Sequence, residues 1–295
     1  MEGGWEIMII RNNIAGINSN RNKGIAETKM KKNLEKLSTG YRINRAGDDA
    51  AGLAISELMR SQIGGIDQAL RNCNDGISMT NTGEGALTEV HAMLQRMKTL
   101  AVQSANGTYT SEARANLDAE RVQLLDELNR IGANSNFDGI PLFKSGEPQG
   151  YPNIEPPTLA EDEKERAITL QIGYSQAETL GVGRYYMSDK ALLLDDTKFT
   201  TLTDANEAIP KIETAIEAVA DIRANFGANL NHMEHTHNNL TVTSENMTTA
   251  ESRIRDTRMA EEFVAYTKEN IVYQSSTSMA AQANSTVQQV LSLLQ

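Results

Sequence analysis

Large rings, thiols and positive charge are all scarce in this chain. Of its 295 residues only 5% are aromatic, with a single Trp. A rounded core of this size normally buries more large rings. The shortage favours long helices that pack through aliphatic side chains along narrow seams. One cysteine, Cys73, excludes an intramolecular disulfide and a cysteine-based zinc cluster. The formal net charge is −11. No surplus of Lys and Arg exists to neutralise phosphates, so nucleic acid is not expected as a partner. No run of about 18 apolar residues occurs, and no membrane partner is expected either. The opening MEGGWEIMII has neither the basic region nor the long apolar stretch of a secretory signal. Residues 1–7 read as a non-native leader before Met8.

Proline is sparse but concentrated. Pro141, Pro148, Pro152, Pro156 and Pro157 fall together, with Gly139, Gly146 and Gly150 among them. Such a cluster breaks helices and marks turns, and Asp138-Gly139 is a turn dipeptide. The expectation is a non-helical region over 137–202, with candidate short strands at 167–172 and 197–202.

What the chain has in quantity is helical periodicity. From Ile209 to Ile254, alternating steps of three and four fall on Ile212, Ile216, Val219, Arg223, Phe226, Leu230, Met233, His237 and Leu240. That is a coiled-coil seam, with Pro210 expected near its first turn. Ile63, Ile66, Leu70, Cys73 and Ile77 repeat the pattern. Leu87, Val90, Leu94, Met97 and Ala101 resume it after a register shift. Asn106-Gly107 breaks the helix, and Thr110 or Ser111 can cap a new one carrying Leu117, Leu124, Leu128 and Ile131. The two ends are alike. Ile14, Ile17, Met30, Leu34 and Leu37 mark one amphipathic stretch. Met259, Phe263, Tyr266, Met279, Val287, Val290, Leu291 and Leu294 mark the other. Paired with each other they bury little, so they are expected to fold firmly only against other copies of the chain.

Several motifs then identify a family. "RNNIAGINSNRN" at 11–22, "LEKLSTGYRINRAGDDAAGLAISELM" at 34–59 and "NDGISMTNTGEGALTEVHAMLQRMKTLAVQSANGT" at 74–108 resemble the N-terminal half of bacterial flagellin. "FDGIPLF" at 137–143 resembles the turn that follows. "EHTHNNLTVTSENMTTAESRIRDTRMAEEFVAYTKENI" at 234–271 and "VLSLL" at 290–294 resemble its C-terminal half. The resemblance implies a mainly α fold, a long helical coiled coil or bundle with a small β-hairpin region in the middle. It implies an inner core domain from 8–47 and 255–295, an outer core bundle from 48–136 and 203–254, and a β-hairpin and loop region over 137–202. No large inserted domain is expected. The implied function is a structural subunit that self-assembles into the flagellar filament; the alternative is a hook–filament junction protein.

The same resemblance implies partners and places. The chain would pair with itself in a helical homopolymer, and with an export chaperone, the filament cap and hook-junction proteins. It would leave the cell by the flagellar type III route, without a cleaved signal, to lie in the extracellular flagellum. A Toll-like flagellin receptor of animals would grip Arg96, Leu100 and Glu120, and a cytosolic inflammasome sensor is a further partner. Ile14, Ile17, Leu34, Leu37, Met259, Phe263, Val287, Val290, Leu291 and Leu294 would serve polymerisation. Arg45, Asp48, Asp49, Arg255 and Arg258 would form the joint between core domains. Arg258 stands where the family usually has an acid, and Gly47 where it has a larger residue.

No enzyme or cofactor is expected. His232-x-x-His235-x-His237 is not in H-E-x-x-H order, and His237 is a seam position, so packing or solvated histidines are the reading. Asp48-Asp49 lacks a nucleophilic or basic partner nearby and reads as a helix cap. Gly83-Glu84-Gly85 lacks the strand and Lys-Ser/Thr of a phosphate loop.

Overall fold

The computed structural model describes residues 12–144 and 167–293. Its element order is α1 (Ile14–Thr39), α2 (Ala50–Ser104), α3 (Ser111–Asn134), β1 (Asn136–Phe137), β2 (Ile140–Pro141), β3 (Ala167–Gln171), β4 (Thr179–Gly183), α4 (Leu202–Arg255) and α5 (Met259–Leu293). The fold is mainly α, with two small antiparallel sheets in the middle. The chain forms a terminal unit, 1–61 with 246–295, and a middle unit, 62–245. Helices α2 and α4 contribute residues to both.

The middle unit is organised by α2. Besides Met79 and Leu100, its buried positions in this unit run along one seam: Ile66, Ala69, Cys73, Gly76, Thr80, Gly83, Leu87, Val90, Leu94, Met97, Ala101 and Ser104. These alternate by three and four without interruption, so the register shift read from the sequence does not exist. It was apparent only because Gly76, Thr80 and Gly83 carry no hydrophobic signal. Their smallness has a function in packing. A methyl group on Gly76 would stand 2.6 Å from Leu170 Cδ1 and 2.7 Å from Met233 Sδ; one on Gly83 would touch the Phe226 ring at 3.6 Å. The Thr80 hydroxyl, buried in the same stretch, donates to the Gly76 carbonyl at 2.8 Å and so leaves no polar hydrogen unsatisfied.

Helix α4 answers with Ile212, Val219, Phe226, Met233 and Leu240, all buried one heptad apart. It begins at Leu202, so Pro210 lies inside the helix and not at its start. Thr201 caps it instead, accepting from the Asp204 amide at 3.1 Å. Ala205 and Ala208 then bury the turns before the proline. That packing outweighs the one backbone bond proline cannot donate. Helix α3 is capped as expected by Thr110, whose hydroxyl accepts from Ala113 N at 3.2 Å.

Asp138 and Gly139 both take positive φ, 49° and 78°, and join β1 to β2 in a tight hairpin. The following Phe143 meets Phe226 edge-on at 6.4 Å, and Tyr185 meets it at 6.1 Å. The strand expected from 167 forms and pairs with β4, from Ala167↔Gly183 to Gln171↔Thr179. The strand expected over 197–202 does not form. Its backbone finds side-chain partners instead. Phe199 N donates to Asp118 Oδ1 at 3.0 Å, and Phe199 O accepts from Ser104 Oγ at 2.7 Å. Arg121, itself buried, holds Asp118 at 2.7 Å and lies over the Phe199 ring.

In the terminal unit α1 and α5 run antiparallel. Asn13 opposes Ala283 and Asn284, Lys23 opposes Tyr273, and Lys36 opposes Glu262. Gly40, in the left-handed conformation at φ 76°, ends α1.

Two glycines of α2 separate packing from propensity. Gly76→Val should destabilise the middle unit by about 1–3 kcal/mol through overpacking. Gly85→Ala, with nothing within 4 Å of the added methyl, should stabilise it by about 0.5–1 kcal/mol. Urea midpoints followed by circular dichroism would show opposite displacements.

Candidate functional site

The interface between α1 and α5 is unlike a hydrophobic coiled coil. The residues that α1 turns toward its partner are Gly16, Ser19, Lys23, Ala26, Met30, Asn33, Leu37 and Gly40, in strict three–four steps. Those of α5 are Glu262, Tyr266, Glu269, Tyr273, Ser276, Ala280, Ala283 and Val287. Most are small or polar. Lys29 meets Glu269 at 3.6 Å, Lys36 meets Glu262 at 3.5 Å, and the Lys23 ammonium lies 5.4 Å from the Tyr273 ring centre. Asn13 caps α1, accepting from Gly16 N at 2.9 Å, while its amide donates across to Ala283 O at 3.0 Å.

The large apolar side chains therefore point away from the pair. Ile17 is 62% exposed, Phe263 61% and Val264 67%. Ile14, Ile25, Leu34, Met259, Ile271 and Met279 are exposed with them. Of the residues read as polymerisation contacts, Leu37 and Val287 lie half-buried between the helices, while Ile14, Ile17, Leu34, Met259 and Phe263 lie outward. Val290 and Leu291 stand on α5. Leu294 and residues 1–7 lie outside the described residues. Exposed apolar area on this scale, on a chain that is polar on average, marks an interaction face.

The residues read as a joint gather where α1 gives way to α2 and α4 to α5. Tyr41 and Asp256 form an antiparallel bridge. Thr257 N donates to Gly40 O at 2.8 Å, and Arg42 N to Arg255 O at 2.7 Å. The Arg255 guanidinium lies 4.7 Å from the Tyr41 ring centre and donates to Glu57 at 2.9 Å. That bond is the main cause holding the Glu57 carboxyl below the usual carboxylate range, with Arg60 adding to it. Its contribution is present at neutral pH and is lost as pH falls through the lowered value. The Asp48 carboxyl is likewise held low, first by the Arg45 amide and then by Lys32. Asp49 caps α2, accepting from Gly52 N at 2.9 Å. Arg45 reaches Glu35 at 3.0 Å.

Arg258 is the N-cap of α5, since its carbonyl accepts from Glu262 N at 3.1 Å. Arginine offers no side-chain acceptor to the free amides of the first turn, which an acid at this place would. Its guanidinium instead meets Glu261 at 3.0 Å on the surface.

In the middle unit Arg96 and Glu120 stand together. The Arg96 Nε and Nη2 both approach Glu120 Oε1 at 2.8 Å, bridging α2 and α3 in the open. Leu100 is not beside them on the surface. It is fully buried in the core beneath. Sequence reasoning missed a second cross-helix clamp, Arg223 with Glu84 at 2.7 and 2.9 Å. The signal was a charged residue at a seam position, which calls for a partner. His232 and His235 are exposed and His237 is half-buried. Among the described residues no three His, Cys, Asp or Glu side chains gather as metal ligands would. None of the described helices is long and apolar enough to cross a membrane.

A chain whose middle buries its own core, while its paired ends turn their apolar residues outward, is a subunit completed by its neighbours: a self-assembling structural protein. The family models for the bacterial flagellin N-terminal helical region and C-terminal helical region match residues 10–147 and 209–294. A flagellin of Halalkalibacterium halodurans is 44% identical over 97% of this chain and all of its own length. The chain belongs to the flagellin family and is a subunit of the flagellar filament, a structural protein and not an enzyme. A flagellar filament 33 kDa core protein of Treponema phagedenis is 42% identical, over 97% of this chain and 100% of that one. Among solved structures, a Vibrio parahaemolyticus protein described in terms of the flagellar hook is similar in fold. Its TM-score is 0.55 at 12% identity, over 71% of this chain and 100% of that one. The alternative of a hook–filament junction protein gives way to flagellin.

Restoring an acid at the α5 cap tests the reading of Arg258. Arg258→Asp should strengthen the first turn of α5 by about 1 kcal/mol. Slower amide exchange at Ala260 and Glu261 would register it; unchanged exchange would remove the capping argument.

Proposed function

We propose that the outward apolar residues of α1 and α5 are the contacts through which this flagellin polymerises. Ile14, Ile17, Leu34, Met259 and Phe263, with Val290, Leu291 and Leu294 further along, then pack against other copies, and 8–47 with 255–295 act as the inner core domain. Residues 48–136 and 203–254, with 137–202, act as the outer core. The observation that carries this is the inversion of the hairpin, polar within and apolar without. An isolated pair of this kind gains little from burial and is completed by a second layer of chain. Arg45, Asp48, Asp49, Arg255 and Arg258 serve as the joint.

Amide exchange in the unassembled protein should accordingly be fast over 14–39 and 259–293 and slow over the buried seam of α2. In the filament the terminal segments should slow by about a hundredfold or more. Termini as protected before assembly as after it would rule the reading out.

The remaining partners are those that family membership suggests. An export chaperone would hold the outward face of α5 before assembly, and the cap and hook-junction proteins would meet the filament's two ends. The route out would be type III export without a cleaved signal, to an extracellular flagellum. For the host receptors, a Toll-like flagellin receptor and a cytosolic inflammasome sensor, the accessible pair Arg96–Glu120 supports the first. Leu100 would act only by supporting the helix on which Arg96 stands.

Arg96 donates in a fixed planar fork and is only engaged by a surface ion pair, which costs little to break. Arg96→Ala should weaken binding of the monomer to the receptor ectodomain by about tenfold or more. Circular dichroism should remain that of the wild type, since alanine favours helix. Equal affinities at equal folding would take Arg96 out of the contact.

A further inference from the structure

Methionine is unevenly spread over this fold. The chain has 12 of them. Met79, Met97, Met187 and Met233 lie in the core of the middle unit, none more than 4% exposed, and four others are half-buried. Among the described residues only Met259 and Met279 are exposed, at 50% and 59%, and both stand on α5. Met259 lies one helical turn before Phe263, which faces outward.

Exposure decides which of these thioethers an oxidant in water can reach. The sulfur lone pair attacks one oxygen of a peroxide, an S–O bond forms and the O–O bond breaks. The displaced hydroxide takes the proton from the transferred oxygen and leaves as water. Sulfur loses two electrons and the peroxide gains them. The product is a sulfoxide, polar where the thioether was apolar. Cys73 competes poorly for the same oxidant, because it has no exposed surface and burial pushes its thiol up from the ordinary value.

We propose that Met259 and Met279 are oxidation sites through which a peroxide stops this subunit from joining a filament. The inference rests on the polymerisation reading above, in which the outward apolar residues of α5 are covered by other copies. In such a contact an unbranched, polarizable thioether fills irregular gaps well. A sulfoxide at the same place has to bury its oxygen without a donor supplied for it, which is costly. Before assembly both sulfurs stand open to solvent. After assembly the neighbouring copies close them off, so a finished filament resists an oxidant that disables its free subunits.

The test treats monomer and preformed filaments with the same graded hydrogen peroxide, and peptide mass spectrometry reads the oxygen gained at each methionine. In the monomer Met259 and Met279 should oxidise about tenfold faster than the four core methionines, and in filaments both should be protected. The critical concentration for elongation of oxidised monomer should rise about tenfold or more. Methionine sulfoxide reductases acting on both epimers should return it to the starting value. The double variant Met259→Leu with Met279→Leu keeps an apolar side chain of similar volume and should elongate after peroxide as it does before. Should that variant not elongate at all, reversal by the reductases decides alone. Oxidised monomer that elongates like untreated monomer, a double variant as sensitive to peroxide as the wild type, or filaments oxidised at both sites as fast as monomer would overturn the proposal. The polymerisation reading has its own arm, Met259→Gln with Met279→Gln and no peroxide. Normal elongation there removes both residues from the contacts, and the proposal with them. Elongation lost in the glutamine variant but kept in the oxidised wild type leaves the contacts standing and refutes the oxidative control alone.

Discussion

The close approach of α4 to the small-residue stretch of α2 is the contact on which the middle unit depends. Gly76 and Gly83 remove side chains where Met233 and Phe226 come in, and Thr80 returns its hydroxyl to its own helix. Side chains from several segments between the two long helices then dock along the line this creates. Leu170 of β3 reaches Gly76, Leu142 reaches Gly83, and Phe143 and Tyr185 flank Phe226. The sheets have two strands each and are too small to stand alone. Their stability is borrowed from the helix seam, where dense packing gives each aliphatic contact its full dispersion energy.

The terminal unit follows the opposite logic. No described side chain of α5 is fully buried, and of α1 only Gly16 and Ala26 are. A pairing built from small residues, asparagines and half-exposed ion pairs has specificity but little free energy. Stability must come from elsewhere, and the side chains that can provide it are the ones facing outward. On the proposed reading, the hairpin contacts favour one geometry in the free chain and burial against other copies holds it in the polymer. Selecting a geometry and stabilising it are thus assigned to different faces of the same helices.

Much of this was legible in the sequence, and the gaps have physical causes. The helices, the Asp138-Gly139 turn, the Thr110 cap and the strand beginning at Ala167 all follow from local rules. The α2 seam was read with a break because periodicity was sought in large apolar residues, and glycine or threonine at a seam leaves no such mark. Pro210 was expected near the first turn of α4 because a proline inside a helix is rare, yet the helix begins at Leu202 and Ala205 and Ala208 bury the turns before the proline. A strand was expected at 197–202 because β-branched residues cluster there, whereas Asp118 and Ser104, distant in sequence, satisfy that backbone. Ile14, Ile17 and Phe263 were read as contacts with other copies, and they do face away from the hairpin, whereas Leu37 and Val287, read the same way, lie half-buried within it. Periodicity gives a stripe, and only the partner's stripe decides which way it turns. The same limit applied to Leu100, whose neighbour Arg96 is at the surface while it lies in the core.

Cys73 gives the molecule a native reporter. It is the only thiol in the chain, it lies in the α2 seam with no exposed surface, and burial pushes its thiol up from the ordinary cysteine value. Water-borne reagents need both a thiolate and an open path, and the folded seam denies them both. Its alkylation rate is therefore a clock for the opening of α2 within the middle unit. The terminal hairpin carries no cysteine, so fraying there leaves that clock silent. One sulfur atom thus separates the breathing of the folded body from the ordering of its ends.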